Sequence, residues 1–124
     1  MAAAIGRKRW AIPDGYIPAT SATDDPDMKS HETVSMLNAG DRDANVEITI
    51  YFTDRDPAGP YKVVLPARRT RHVRLDKLDD PEPIPVATEY AILIESDVPI
   101  VVQHSRLDSR QAENALFTTI AFSE

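Results

Sequence analysis

Few arrangements in this 124-residue sequence have the residue types that catalysis needs. Ser30-His31-Glu32 and His104-Ser105 place hydroxyl, imidazole and carboxylate groups next to one another along the chain. A nucleophilic triad needs these groups to converge in space, whereas neighbouring residues of a strand point to opposite faces. The sequence also has only four glycines and lacks both a G-x-S-x-G elbow and a glycine-rich phosphate loop. These patterns predict a protein that is not an enzyme.

Metal binding is the second kind of chemistry to consider. His31, His72 and His104 are the three histidines, and no two of them form an H-x-H pair that would place both ligands on one strand face. The chain has no cysteine, which excludes disulfides, thiolate metal sites and thiol nucleophiles. The sequence therefore predicts neither a metal centre nor a cofactor.

Two aromatic residues are candidates for binding. Tyr51 shares the polar side of its strand with Glu47 and Thr49, so its ring could stack on a sugar or a partner protein, or simply bridge core and solvent. Trp10 is the only tryptophan, and it could serve either as a stacking platform or as a core anchor. Both alternatives remain open for each residue, with the structural one favoured.

A second group of candidates follows a buried strand. His104, Arg106, Asp108 and Arg110 alternate along the chain from an apolar run into a loop. Arginine and aspartate form forked ion pairs, either with each other or with a polar ligand. We expect internal pairing here rather than ligand binding.

The charge of the chain is unevenly distributed. The net charge is −6, yet residues 61–77 contain six basic residues against one aspartate. Within this segment, Arg68, Arg69, His72 and Arg74 could form a docking patch for phosphate, an acidic ligand or a membrane receptor. The alternative, which we favour, is that oppositely charged strands pair across a sheet face. DNA reading would need more basic surface or a recognisable docking element.

The main structural signal is an alternation of apolar and polar residues. In Asn45–Thr53, Val46, Ile48, Ile50 and Phe52 fall on one side, which is typical of a half-buried strand. Glu32–Leu37 alternates in the same way, and the turn residues between the two segments favour a hairpin.

Further strands are predicted by the same pattern, and no proline-free window has the periodicity of an amphipathic helix. They are Lys8–Ile12, Tyr61–Leu65, Thr70–Leu75, Glu89–Glu95, Ile100–Arg106 and Leu116–Phe122. Seven to eight short strands predict an all-β, single-domain antiparallel β-sandwich, jelly-roll-like, over residues 1–124. Residues 13–30 are expected to form a flexible loop, and residues 108–114 a hairpin loop. Without a long apolar run or a signal peptide, we expect a cytoplasmic protein.

Several blocks of the sequence closely resemble one known family. They are Ser30–Val34, Leu37–Asp41, Val46–Tyr51, Gly59–Tyr61, Pro66–Thr70, Pro83–Pro85, Val98–His104 and Arg106–Leu116. The family is that of the Anabaena sensory rhodopsin transducer, and the resemblance extends over nearly the whole chain, with Thr20–Lys29 unmatched.

The resemblance implies a small cytoplasmic all-β protein that forms a homotetramer. It also implies contact with the cytoplasmic face of a seven-helix sensory rhodopsin, whose light signal the protein passes onward. The family fold is similar to that of sugar-binding sandwiches, so a carbohydrate-like ligand is the alternative role. DNA association has been proposed for the family, and the basic segment would permit it. The family supplies no catalytic residues.

Overall fold

The computed structural model describes residues 5–124, and nearly all of its regular structure is antiparallel β-strand. A single 3-10 helix spans Leu75–Lys77. The eight strands, β1 to β8 in chain order, are Arg7–Gly15, His31–Asn38, Ala44–Phe52, Ala58–Leu65, Arg69–Arg74, Tyr90–Asp108, Ala115–Ile120 and Phe122–Ser123. The predicted all-β sandwich is confirmed.

The strands form two sheets that share β6. The first sheet has the order β4-β3-β6-β1-β8, and the second runs β5-β2-β6-β7. Residues up to Ile100 of β6 pair in the first sheet, and residues from Val101 onward pair in the second. A straight 19-residue strand would be about 60 Å long. Because residues near both ends of β6 contact one buried side chain, as described below, β6 must bend where it changes sheets.

Three predictions about strand pairing and boundaries are wrong. β2 and β3 do not form a hairpin, because β2 pairs with β5 and β6 while β3 pairs with β4 and β6. Two strands predicted at 89–95 and 100–106 are one continuous strand, β6. The strand predicted at 116–122 is divided at Ala121 into β7 and β8, which belong to different sheets. Turn-like sequences and prolines thus mark changes of sheet as well as chain reversals.

The core lies between the two sheets and contains the residues that the alternation assigned to it. Val46, Ile48 and Ile50 of β3 are at most 1% exposed. The residues of matching alternation in β4 and the first half of β6 are also buried, namely Tyr61, Val63, Leu65, Tyr90, Ile92 and Ile94. Phe52 is partly buried and packs against the same cluster. A one-residue slip of β3 would bury Glu47 and expose these side chains, so the core determines the register.

Residues 16–30 connect β1 to β2 without forming a strand, while residues 13–15 belong to β1. The Ala22 amide donates to the Ser109 carbonyl oxygen at 2.6 Å, and the buried Ser30 hydroxyl lies 3.3 Å from that of Ser109. The loop is therefore anchored to the end of β6, and its flexibility stays a prediction. Within residues 5–124, no helix has the length and apolarity needed to cross a membrane.

Candidate functional site

A carboxylate lies fully buried between the two sheets. Glu32 is the second residue of β2 and has the same strand parity as the core residues Val34 and Met36. Its side chain is 0% exposed. Burying an unpaired carboxylate would carry a large desolvation penalty, so this position requires compensating donors.

Glu32 receives donors from three separate segments. Arg106 Nε donates to Oε2 at 2.6 Å, and the Tyr16 amide donates to the same oxygen at 2.9 Å. The Tyr90 hydroxyl donates to Oε1. His104 Nε2 lies 3.1 Å from Oε1, an ion-pair distance at an angle that does not form a hydrogen bond. We call Glu32, Tyr90, His104 and Arg106 the polar cluster.

The polar cluster keeps Glu32 ionised. Burial by itself would raise the pKa of this carboxyl, but the contacts from His104, Tyr90, the Tyr16 amide and Arg106 together outweigh burial and lower it. Burial and the adjacent Glu32 carboxylate raise the pKa of the Tyr90 hydroxyl far above its usual range. A carboxylate with a lowered pKa whose oxygens are occupied by internal donors is a poor general base. The polar cluster is thus suited to holding side chains in place.

A glycine allows Tyr90 to take this position. Gly15 is the cross-strand partner of Tyr90 at the start of β6. A Cβ atom on Gly15 would lie 2.2 Å from a carbon of the Tyr90 ring, far inside van der Waals contact. The close approach of β1 to the ring therefore requires glycine.

An open cleft lies beside the polar cluster at the ends of β1 and β3. Its volume is about 400 Å³, and it combines aromatic rings with acidic and basic side chains. The lining residues are Pro13, Asp14, Gly15, Tyr16, Tyr51, Phe52, Thr53, Glu89, Tyr90, Ala91 and Arg106. Rings together with convergent polar groups are typical of a site for a small polar ligand.

Arg106 lines the cleft and also contacts strand β7. It reaches the cleft wall with its side chain 18% exposed, and Nη2 lies 3.3 Å from Oδ1 of the exposed Asp14. On another side, its guanidinium carbon lies 5.1 Å from the ring centroid of Phe117 in β7, a cation–π distance. Glu32 therefore holds an arginine that faces both a cleft and a sheet edge.

The two predicted aromatic candidates differ in position. Tyr51 is 43% exposed and lines the cleft, so its ring is accessible. Trp10 is 6% exposed, and its indole Nε1 donates to the carbonyl oxygens of Arg7 and Ile100. The structure thus places Trp10 in the core, where its ring offers no stacking platform.

The four candidates from the end of β6 divide into two pairs. His104 and Arg106 belong to the buried polar cluster. Arg110 makes a forked pair with Asp108 at the surface, with Nη2 2.6 Å from Oδ2. This agrees with the expected internal pairing, and it leaves Arg106 as the only one of the four that lines the cleft.

The basic candidates lie on and beside the edge strand β5. Arg69 and Arg71 are exposed, and Arg71 donates to the Val64 carbonyl oxygen of the other sheet at 3.1 Å. Arg74 is held by Asp76 and by the Pro26 carbonyl oxygen. Arg68 precedes β5 with a φ of 55°, and His72 pairs with Ser35 on the outer side of the second sheet. The structure therefore does not gather these candidates on one face.

Strand β7 is exposed along its whole length. Among the strands of residues 5–124 it pairs with β6 alone, and all six of its residues are exposed, including Leu116 at 72% and Ile120 at 61%. Leu116 and Ile120 share the outer side of the second sheet with Leu37 of β2, which is 42% exposed. We call Leu37, Leu116 and Ile120 the apolar face. Exposed large side chains on an edge strand are typical of an interaction surface.

No group of three or more acidic or histidine side chains within residues 5–124 is arranged to hold a metal ion. The Ser30 and Ser109 hydroxyls contact each other and not an imidazole. The described part of the chain thus offers an aromatic cleft and an apolar face, both of which suit recognition.

Sequence reasoning missed Glu32 and Tyr90 as members of the site. A signal was present, because Glu32 has the parity of Val34 and Met36, and Tyr90 that of Ile92. A carboxylate on an otherwise apolar strand face needs a partner, which the parity of His104 and Arg106 could have suggested. Their convergence depended on the bend in β6, which the sequence pattern did not predict.

The family assignment follows from the whole chain. The family model of the Anabaena sensory rhodopsin transducer matches residues 5–123. The chain belongs to this family, as the resemblance indicated. Among proteins with curated descriptions, none matches the chain significantly.

Solved structures that share this fold include two with clear sequence similarity. The Anabaena sensory rhodopsin transducer is 54% identical, with a TM-score of 0.72, over 83% of this chain and 99% of that chain. The crystal structure of Thermotoga maritima 1070 is 39% identical, with a TM-score of 0.86, over 96% of each chain. The chain is thus a sensory rhodopsin transducer-like protein.

Proposed function

We propose that the protein is a non-enzymatic signalling module of the cytoplasm that couples a sensory rhodopsin to downstream targets. Its family and the 54% identity to a transducer over 99% of that chain support this role. The observation that carries the proposal is the exposed strand β7, whose apolar residues have no partner within the described chain. The occupied carboxylate of Glu32 argues for recognition over catalysis.

Receptor docking would use the exposed arginines of β5. Arg69 and Arg71 carry positive charge on an edge strand, where it can meet acidic groups on a receptor face. We expect the protein to bind nanodiscs that contain Anabaena sensory rhodopsin and not empty nanodiscs. Reversing both charges, Arg69→Glu with Arg71→Glu, should weaken binding at low salt about tenfold or more.

Lys62→Glu is the matched control for receptor docking, because Lys62 is exposed on β4 of the other sheet. Equal binding of the wild type and the double variant to the rhodopsin nanodiscs would show that β5 does not contact the receptor. Equal binding to empty nanodiscs would contradict receptor coupling.

We propose that the protein assembles as a homotetramer, with the apolar face as one interface. Leu37, Leu116 and Ile120 are exposed on one side of the second sheet, and within residues 5–124 the outer edge of β7 pairs with no strand. A second copy would cover these side chains, and symmetric assembly would repeat every docking patch.

Ile120→Asp tests this interface, because a charge in an apolar interface is strongly unfavourable. We expect a smaller solution mass with an unchanged melting temperature of the isolated subunit. Val64→Asp is the control, since Val64 is 51% exposed on the first sheet. A mass unaffected by Ile120→Asp would place the interface elsewhere.

A second candidate function is the binding of a small carbohydrate-like ligand. The observation that favours it is the 400 Å³ cleft, where Tyr16, Tyr51 and Phe52 lie near Asp14, Glu89 and Arg106. Rings stack on sugar faces, and the polar groups would hydrogen-bond hydroxyls. Because Glu32 compensates Arg106, Asp14 and Glu89 leave the cleft acidic. We therefore expect neutral or amino sugars to bind better than acidic ones.

A thermal-shift series with glucose, glucosamine and glucuronate tests the cleft. Saturable stabilisation by one of the first two sugars, lost in Tyr51→Ala, would support binding there. Phe122→Ala is the matched control, because Phe122 is an exposed aromatic outside the cleft. An unchanged melting temperature with all three sugars would argue against these ligands. Preferential binding of glucuronate would contradict the inference that the cleft is acidic.

A further inference from the structure

The Arg106 side chain connects the cleft with strand β7. Arg106 contacts Glu32 in the core, Asp14 at the cleft and the Phe117 ring of β7. Phe117 also makes an edge contact with His104, with ring centroids 5.8 Å apart. The inner side of β7 therefore rests on two members of the polar cluster.

The three contacts of Arg106 differ in how easily they change. The Glu32 contact is short and the Glu32 carboxylate is fully buried, so it holds Nε in place. The Asp14 contact is longer, and the Asp14 side chain is 81% exposed, so another acceptor can replace it at little cost. Any acceptor in the cleft that binds Nη2 in place of Asp14 would change how the guanidinium plane is held.

Such a change would alter the contact between the Arg106 guanidinium and the Phe117 ring. A cation–π contact depends on the position of the guanidinium over the ring, and it is favourable even where the ring is partly exposed. Since β7 pairs with a strand on only one side within the described residues, the Phe117 contact contributes to its local stability.

We propose that Arg106 couples the cleft to strand β7, so that a ligand in the cleft alters how firmly β7 is held on β6. This inference rests on the proposed binding role of the cleft and names the regulation of that site. A ligand that fixes Arg106 better than Asp14 does would stabilise β7, and loss of the cleft-side contact would loosen it. The cleft would thereby control the strand that presents the apolar face.

Hydrogen exchange of the β7 amides tests the coupling without any ligand. Asp14→Asn removes the negative charge beside Nη2, keeps the weaker contact of Nη2 with the Asp14 backbone carbonyl oxygen at 3.5 Å, and leaves the Glu32 pair in place. We expect the amides of Ala115–Ile120 to exchange about two- to fivefold faster, which is the scale of one exposed ion pair. The amides of Ala44–Phe52 in β3 should be unchanged, since a local effect does not reach the core strands.

Two further variants make the test specific. Asp54→Asn is the control, because it breaks another exposed aspartate–arginine pair, at 2.9 Å to Arg55, outside the polar cluster. It should leave β7 exchange unchanged. The Phe117→Leu substitution removes the aromatic ring. In that background, Asp14→Asn should no longer accelerate the hydrogen exchange of the β7 amides.

Unchanged β7 exchange in Asp14→Asn would overturn the coupling. Faster exchange that persists in the Phe117→Leu background, or that is equal in β3 and β7, would also overturn it. The sugar series tests the cleft separately, so stabilisation by a sugar combined with unchanged β7 exchange would mean that the cleft binds without controlling β7.

Discussion

The polar cluster and strand β7 differ in whether their interactions are completed within the described chain. At Glu32, donors from the loop after β1 and from both halves of β6 occupy a fully buried carboxylate. In β7, all six residues are exposed and only one edge is paired. The comparison shows that the polar contacts around Glu32 are completed internally and hold Arg106, whereas the apolar side chains of β7 remain exposed.

The largest expected effect is the loss of charge at Glu32. Glu32→Gln leaves Arg106 without its buried counter-ion, and breaking such pairs typically costs about 3–5 kcal/mol. We expect the low end of this range, because the Arg106 side chain remains 18% exposed. Urea unfolding measures the change, and a loss below about 1 kcal/mol would show that the polar cluster is dispensable.

The second effect is smaller, because only one donor is removed. Tyr90→Phe deletes the hydroxyl that donates to Oε1 of Glu32 while the ring still packs against Gly15. Hydrogen bonds to charged groups contribute about 1.5–3 kcal/mol. Tyr61→Phe is the control, because the Tyr61 hydroxyl donates to a neutral carbonyl oxygen, that of Glu82. If the two variants lose equal stability, the charge of Glu32 contributes nothing through Tyr90.

The third prediction concerns the free energy of unfolding at low pH. The pKa of Glu32 is lowered in the folded state from its ordinary value of 4.5, so the folded state holds the charged form. The stabilisation is fully present above pH 4.5 and is lost as the pH falls through the folded-state pKa. One proton contributes a slope of up to about 1.4 kcal/mol per pH unit.

Unfolding free energies of the wild type and Glu32→Gln, measured between pH 6 and pH 3, test this slope. The wild type should lose stability more steeply below pH 4.5, because the variant lacks this carboxyl. Parallel curves would show that Glu32 does not titrate as the polar cluster requires.

The smallest effect is expected at the surface pair of Asp108 and Arg110. Both the contact and the lowered pKa of Asp108 depend on the exposed guanidinium of Arg110. Water and salt screen such a pair, so Asp108→Asn should leave the melting temperature at neutral pH nearly unchanged. A large loss would mean that this pair supports the 16–30 loop near Ser109.

The sequence predicted the core better than the connections. Alternation identified the buried residues of β3, such as Ile48, because burial depends on local parity. It did not predict the path of β6, since Pro99 looks like a strand break and instead lies within a continuous strand. Arg106 was identified as a candidate, whereas Glu32 was missed because its donors come from residues 16, 90 and 106, which are far apart in the sequence. Long-range convergence of this kind is not encoded in local spacing.

The solution mass of the wild-type protein at micromolar concentration tests the account most directly. Sedimentation equilibrium across a dilution series should give four times the chain mass, which is the mass of the proposed homotetramer in which another copy covers the exposed side chains of β7. A single species of one chain mass throughout the series would contradict the account, since β7 would then remain uncovered by any other copy.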